Sequence, residues 1–483
     1  MLSFNLQKYG DLPLYEALYQ AVRDEIISGG LAAGEKLPSK RALSMNMNIS
    51  VTTIENSYAQ LCLEGYVHAE PGRGFFVNDM PDGDKKNLAH LYGAEAAALP
   101  YIPPEEAEPH YRVDFKSNSS AMSLFPLSIW SKLMREVISS GNRELLTTVP
   151  YNGLYSLRKA IAEHLHSYRG MSVNPDQIIV GAGTEYLYSR ILALFGDGNI
   201  IAIEDPGYKK FADISGSQGC MWDYISVDER GMRSDLLKRS KANLVHVSPA
   251  NQFPTGIVMP VSRRMEILEW AHSSPINYII EDDYDSELRY SGKVIPTLYK
   301  MDDAEKVIYI NTFSKSLVPS LRISYAVLPP KLILRYRKQL SFYSCTVSSF
   351  EQLTLAGFIS QGYFERHINR LKQHYRSKRD RLIAAITASP LSEHCRIRES
   401  EAGTHFLLQM NTSLEDAQIH ALAEEKGIRL ALLSDYAKSE SIRNSRILVI
   451  NYAGLDPEQT AEAVSILEEI FCTPQEPKAQ LTL

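Results

Sequence analysis

The stretch "TFSKSLVPSLR", Thr312 to Arg322, holds one lysine, Lys315, flanked by hydroxyl residues, with Thr312 and Ser314 before it, Ser316 after it and Arg322 seven positions on. A lysine amine can attack a carbonyl, and hydroxyls and a guanidinium beside it can hold an anion. Four other stretches carry chemistry that fits beside it. "YIIEDDYDSELRY" ends an apolar run in Asp282, Asp283 and Tyr284. "QIIVGAGTEYLYSR" passes through Gly181-Ala182-Gly183 into a helix starting near Thr184, where free backbone N–H groups and the positive helix end suit a phosphate. "EDPGYKKF" sets Tyr208 after a Pro-Gly turn, and "SPANQFPTG" is a proline-bracketed loop. Metal binding is a competing use of the carboxylates, but no histidine cluster accompanies them, and no metal is expected.

The elements that must position these residues are short apolar runs. "QIIV", "NIIAIE", "NLVHVS", "NYIIED" and "KVIYINTF" read as strands too apolar to be half exposed, with helices such as "VSRRMEILEWAHS" between some of them. Alternating strands and helices of this kind predict an α/β fold with a mostly parallel sheet covered on both faces. In such sheets ligand chemistry gathers at the carboxyl ends of the strands. Lys315 and the other candidates all follow strand ends. One ligand unites them: an aldehyde with a phosphate, an aromatic ring and a basic ring nitrogen. It needs an amine for a Schiff base, a carboxylate to keep the nitrogen protonated, a flat side chain over the ring and a helix N-terminus for the phosphate. That ligand is pyridoxal 5'-phosphate.

Residues 1 to 79 read as a separate unit. Leu14, Leu18, Val22 and Ile26 recur at helical spacing and stop at Gly29-Gly30. Ser39 can cap a short helix, and Ser50 a second one with Ile54, Tyr58 and Leu61 as its buried stripe. "VHAEPGRGFFV" then reads as a β-hairpin with Arg73 at its tip. Two helices followed by such a hairpin outline a winged helix, whose second helix enters the DNA major groove. Residues 80 to 112, rich in charge, Gly, Ala and Pro, read as a linker, and residues 113 to 483 as the large domain.

"LPSKRAL", "TTIENSYAQLCLEGY" and "GRGFFV" resemble the DNA-binding module of the GntR family of bacterial transcription regulators. The resemblance implies that Ser39, Lys40 and Arg41 contact phosphate or bases of double-stranded operator DNA, that Ser50, Thr52 and Thr53 lie along the groove, and that Arg73 occupies the wing. Val51 stands where the family usually has arginine, and acids outnumber bases in the module, so affinity must come from a small patch of Lys36, Lys40, Arg41 and Arg73. From Phe115 to Ala453, "YNGLYSLRKAIAEHLHSYRG", "EDPGY", "QFPTG", "EDDYDSELRY" and "TFSKSLVPSLRISY" resemble fold-type I aminotransferases, and the combination resembles the MocR-like branch of the GntR regulators.

Residue by residue, this resemblance makes Lys315 the Schiff-base lysine, Asp282 the partner of the ring nitrogen and Tyr284 that of the ring hydroxyl. Tyr208 would stack on the ring, while Gly183, Thr184, Thr312, Ser314 and Arg322 would surround the phosphate. It implies a head-to-tail homodimer. Phe253 departs from the pattern where an asparagine is common, which leaves Gln252 as a helper of Tyr284. Val449 departs where aminotransferases carry the arginine that clamps a substrate carboxylate, with Arg446 and Arg429 as nearby substitutes. The leading expectation is a DNA-binding regulator that senses an amine or amino acid through aldimine formation, with at most a residual aminotransferase half-reaction. A sensor of pyridoxal phosphate itself and a working aminotransferase with a tethered helical domain are the alternatives.

Composition bounds these readings. The chain has 483 residues, 44% hydrophobic and 22% charged, with a net charge of -6, which argues against coating nucleic acid by bulk electrostatics. No apolar run reaches membrane-helix length, and a cytoplasmic protein is expected. Cys62, Cys220, Cys345, Cys395 and Cys472 are scattered and indicate neither a disulfide frame nor a zinc site.

Overall fold

The computed structural model describes residues 4–10, 12–79, 111–116, 124–290 and 295–473. The chain divides into two compact units, Met1–Glu108 and Pro109–Leu483. Most of the segment read as a linker lies outside the described residues. Tyr111 and Arg112, at its end, belong with the large unit, because the Arg112 N–H donates to the Gly427 carbonyl at 2.8 Å and the Arg429 guanidinium lies over the Tyr111 ring. Among the described residues no helix is long and apolar enough to cross a membrane.

In the small unit, helix α1 (Leu14–Ser28) ends where Gly29 takes a φ of 84°, a left-handed turn open to glycine. Ala17, Leu18, Val22 and Ile26 form its buried face, whereas Leu14 is exposed at the helix start. Helix α2 (Lys40–Met47) is capped by the Ser39 hydroxyl, which accepts from the Ala42 N–H, and α3 (Val51–Leu63) by Ser50, which accepts from the Thr53 N–H. The stripe Ile54, Tyr58 and Leu61 packs with Leu18, Val22 and Leu43 into one core. Tyr58 settles its hydroxyl on the Pro38 carbonyl at 3.0 Å, so a buried polar group does not weaken that core. Strands β1 (Val67–Glu70) and β2 (Gly74–Val77) pair antiparallel around the 71–73 turn and form the wing.

Among the described residues the large unit has three sheets, and its first strand, β3 (Val113–Asp114), stands at its entrance. An eight-stranded sheet contains β4 (Ile178–Gly181), β5 (Ile200–Asp205), β6 (Met221–Asp228), β7 (Gly231–Met232), β8 (Leu244–Val247), β9 (Tyr278–Asp282), β10 (Val307–Thr312) and β11 (Ser324–Val327). Its order is β4-β11-β10-β9-β8-β5-β6-β7. The inner neighbours β10, β9, β8, β5 and β6 pair parallel; β11 and β7 run antiparallel to theirs. Because β11 lies between β4 and β10 and opposes both, β4 points the same way as β10. The carboxyl ends of β4, β5, β8, β9 and β10 therefore share one edge, and the start of β11 returns to it. Strands β8 and β10 are buried along their whole length, as their near-continuous apolar sequences require. Beyond this sheet, β12 (Cys395–Arg398), β13 (His405–Met410) and β15 (Ile447–Asn451) form a three-stranded antiparallel sheet, and β14 (Ile428–Arg429) pairs with β3.

Candidate functional site

On the small unit, the residues singled out for DNA cluster at the N-termini of α2 and α3 and on the wing. Arg41 and Thr52 are exposed. The Ser39 and Ser50 oxygens are already occupied as caps, and Ser50 also shares a hydrogen bond of 2.7 Å with the Thr53 hydroxyl, so their first task is to start the helices. Two of the four patch cations have carboxylate partners: Lys40 pairs with Glu55 and Arg73 with Glu70. Arg73 and Lys36 also lie over the Phe76 ring, 5.5 and 5.9 Å from its centroid.

On the large unit, a cavity of about 290 Å³ opens at the shared strand edge, with room for a small ligand. Thr184 after β4, Tyr208 after β5, Ser248 after β8, Asp282 at the end of β9, Tyr284 two residues on, Thr312 at the end of β10, and Ser314 and Lys315 after it all line it. Arg322, just before β11, joins them in a left-handed conformation at φ 49°. Gly183 caps helix α4 (Thr184–Phe195) at φ 92°, and a Cβ there would collide with the Arg322 guanidinium. Glycine is therefore needed twice over, for its backbone angle and for this close approach.

The electrostatics separate three neighbouring carboxylates. One Asp282 oxygen accepts from the Tyr188 hydroxyl at 2.7 Å, and the same hydroxyl lies 3.2 Å from His246. The other Asp282 oxygen is buried without a partner, and so is the Tyr284 hydroxyl. Asp283 is turned to Arg169 and the Tyr309 hydroxyl, and Asp285 accepts from the Asn251 amide at 2.6 Å. Burial pushes the Asp285 carboxyl up to about 7, against the nearby Lys315. Burial lowers the Lys315 amine, which Asp285 only partly opposes, so a larger share of it is the neutral nucleophile. At the other end, Glu185 holds both Arg322 and Lys210. A carboxylate with an open oxygen, a buried phenol, an amine lowered by burial and a hydroxyl-lined helix N-terminus suit the ring nitrogen, ring hydroxyl, aldehyde and phosphate of pyridoxal phosphate.

Residues 14–77 match the model for bacterial regulatory proteins of the gntR family, and residues 117–467 that for aminotransferase class I and II. The HTH-type transcriptional regulator YdeL of Bacillus subtilis is 36% identical over 461 residues, covering 95% of this chain and 96% of its own. The probable rhizopine catabolism regulatory protein MocR of Rhizobium meliloti is 30% identical over 474 residues, covering 96% and 95%. The chain belongs to the MocR-like branch of the GntR family. The fold of its large unit is that of fold-type I aminotransferases: a Pyrococcus horikoshii kynurenine aminotransferase structure aligns with a TM-score of 0.66 at 22% identity, over 82% of this chain and 95% of that one.

Some expectations for this MocR-like chain need correction. Neither Arg446 nor Arg429 is among the residues lining the cavity. Arg446 takes a left-handed turn at φ 56° and its Nε donates to the Leu414 carbonyl, while Arg429 faces Asp114 at 3.5 Å. Gln252, expected as a helper of Tyr284, is engaged within its own loop. Its amide donates to the Pro206 and Phe253 carbonyls and its oxygen accepts from Thr255, so it braces the loop. Ser248 and Phe253 reach the cavity instead.

Other lining residues had no sequence signal because they arrive from distant chain. The Phe115 carbonyl accepts from the Asn451 N–H, bringing Phe115 and Lys116 beside β15, and Asp205 takes the N–H groups of Lys438 and Ser439, drawing in Tyr436. His405 opens β13, with Nε2 3.0 Å from the Pro254 carbonyl. Burial brings it down to about 4, so it is neutral near pH 7. Because a carbonyl only accepts, Nε2 carries the proton and Nδ1 is an acceptor. Tyr188 and His246 had a faint signal, as polar groups inside apolar patterns.

Glu204, at the end of β5, lies behind the cavity. Burial pushes its carboxyl up to about 8, Asp282 adds to the rise, and the Ser248 N–H and Gln252 amide oppose it. The folded chain thus keeps a proton that the unfolded chain gives up above the ordinary value of 4.5, and stability falls as pH climbs from there to about 8. Glu204→Gln should flatten that decline by up to about 1.4 kcal/mol per pH unit, read from urea midpoints of the large unit between about pH 5 and 8. An unchanged slope would show that Glu204 ionises freely.

Proposed function

We propose that this chain is a DNA-binding transcriptional regulator that holds pyridoxal 5'-phosphate in its aminotransferase-like unit and senses a small amine or amino acid there. The observation that carries the reading is the meeting of the Lys315 amine with the half-satisfied Asp282 carboxylate in one cavity, on a chain that also bears a winged helix. When bound, the cofactor supplies an electrophilic carbon for a primary amine and a ring that withdraws electrons from it. Lys315 serves as the covalent anchor, its amine made available by burial. Asp282, steadied by Tyr188, would offer its open oxygen to the ring nitrogen. Tyr284 would serve the ring hydroxyl and Tyr208 the ring. Arg322, Thr312, Thr184, Ser314 and the N–H groups after Gly183 would hold the phosphate.

Lys315→Ala should keep the fold but lose the absorbance of bound cofactor and the borohydride-fixed cofactor peptide. Fixation at another lysine would reassign the anchor.

The substrate side of the cavity favours sensing over turnover. Val449 is apolar, His405 is neutral, and Arg446 and Arg429 are engaged elsewhere, so among the described residues lining the cavity the Lys116 ammonium is the cation beside β15 and no guanidinium there clamps a ligand carboxylate for rapid chemistry. Binding energy is then spent on shifting the DNA-binding equilibrium, and a tenfold shift needs only about 1.4 kcal/mol of differential affinity. The reading includes a cytoplasmic homodimer. Leu127, Ile138, Leu146 and Phe350 support the dimer, as large apolar side chains exposed on segments that pack on one another.

A primary amine that perturbs the cofactor absorbance should change operator affinity about tenfold, while keto-acid product accumulates slowly. Comparing phenethylamine with phenylalanine isolates the carboxylate, and the amine should bind at least as well. Rapid multiple turnover with an amino-acid and keto-acid pair, with DNA affinity indifferent to it, would establish the aminotransferase alternative.

A further inference from the structure

Helix α3 buries Ile54, Ser57, Tyr58 and Leu61 and turns Val51, Thr52, Glu55 and Asn56 outward. Glu55 thus shares the outward face of the helix that a winged helix lays in the major groove. Its carboxylate is met by the ammonium of Lys40, the first residue of α2, and that ammonium lies 5.6 Å from the centroid of Phe75 on β2. One ion pair therefore ties both helices to the wing. Within it the acid is the outer member, with 57% of its side chain exposed against 32% for Lys40. An exposed pair of this kind contributes little to stability, so its position on the reading face calls for another account.

A carboxylate has acceptors only. In the major groove it is repelled by phosphate and finds no donor on guanine or thymine, while the amino groups of cytosine and adenine donate to it. We propose that Glu55, oriented by Lys40, is a specificity-determining residue of the DNA-reading face that accepts a hydrogen bond from the exocyclic amino group of a cytosine or adenine. The same carboxylate competes with phosphate for Lys40 and so suppresses binding to unrelated duplexes. This inference rests on the regulator reading above.

The test uses the full-length protein, selected against a pool of randomised duplexes. Wild type should enrich sites with one position restricted to cytosine or adenine by roughly tenfold. Glu55→Ala should make that position degenerate, and Glu55→Gln, whose amide suits adenine N6 and N7, should shift it toward adenine. On a fixed unrelated duplex, Glu55→Ala should bind more tightly, with a salt slope steeper by about one, because Lys40 is released to phosphate. A wild-type motif and salt slope left unchanged by Glu55→Ala overturn this inference alone. A wild-type protein that enriches no duplex overturns the regulator reading with it.

Discussion

Everything in the large unit hangs on keeping a carboxylate at the end of a buried strand with only one of its oxygens satisfied. Such a group is expensive to bury, so the surroundings must over-determine it. Asp282 is fixed by the parallel ladders of β8 and β10 on either side of β9, and by the Tyr188 hydroxyl beneath it. Tyr188 is itself fully buried, edge-on to Phe211, which stacks on His246 at 4.1 Å. The parallel arrangement matters as much as the contacts. Five strands deliver their carboxyl ends to one edge, and the reversal of β11 brings Arg322 back to the same edge. A cavity wall is thereby assembled from residues almost 140 positions apart, Thr184 to Arg322, without any long excursion of the loops.

Burial then tunes this wall and the groups behind it toward neutrality. It lowers the Lys315 amine, raises the Asp285 and Glu204 carboxyls and brings the His405 imidazole down. Each shift has the same first cause, loss of water around a charge. Lys116 brings a charge to the side of β15, and Arg322 and Glu185, with Lys210 paired to Glu185, carry charge near the N-terminus of α4. The two ends of the cavity thus differ in kind: the groups at one end suit an anion by charge, and those at the other suit a ligand by shape, apolar contact and hydrogen-bond direction.

How much of this was legible in the sequence depended on how locally it was encoded. Caps at Ser39 and Ser50, the glycine stop at Gly29, the hairpin tip and the buried strands are written within a few residues, and the structure has them. The candidate cofactor residues could be gathered because parallel strands put successive loops on one edge, a rule that turns sequence order into proximity. Arg446 and Arg429 misled because nearness to position 449 along the chain says nothing about direction: a left-handed turn and a pairing with Asp114 take them away. Phe115, Lys116, His405, Asn451 and Tyr436 line the cavity through pairings across hundreds of residues, which leave no local pattern. The Lys40–Glu55 pair was invisible for a related reason, since fifteen residues and a turn separate its partners.

The small unit manages its charges by a different rule from the cavity. It leaves them at the surface and pairs them, Lys40 with Glu55 and Arg73 with Glu70, in a module with more acids than bases. A phosphate that takes either cation must displace a carboxylate, so the net gain per contact is smaller than for a free lysine or arginine. A chain of net charge -6 adds no general attraction to polyanions. DNA affinity built from a few such exchanges is modest, and modest affinity is easily governed. When the total binding free energy rests on a small number of small terms, a differential of one or two kcal/mol from a ligand elsewhere on the chain decides whether the protein is on or off its site. Under the proposed sensing role, the self-paired charges of the reading face and the weakly clamped cavity would serve one end, since neither DNA nor ligand would be held so tightly that the other could not move it.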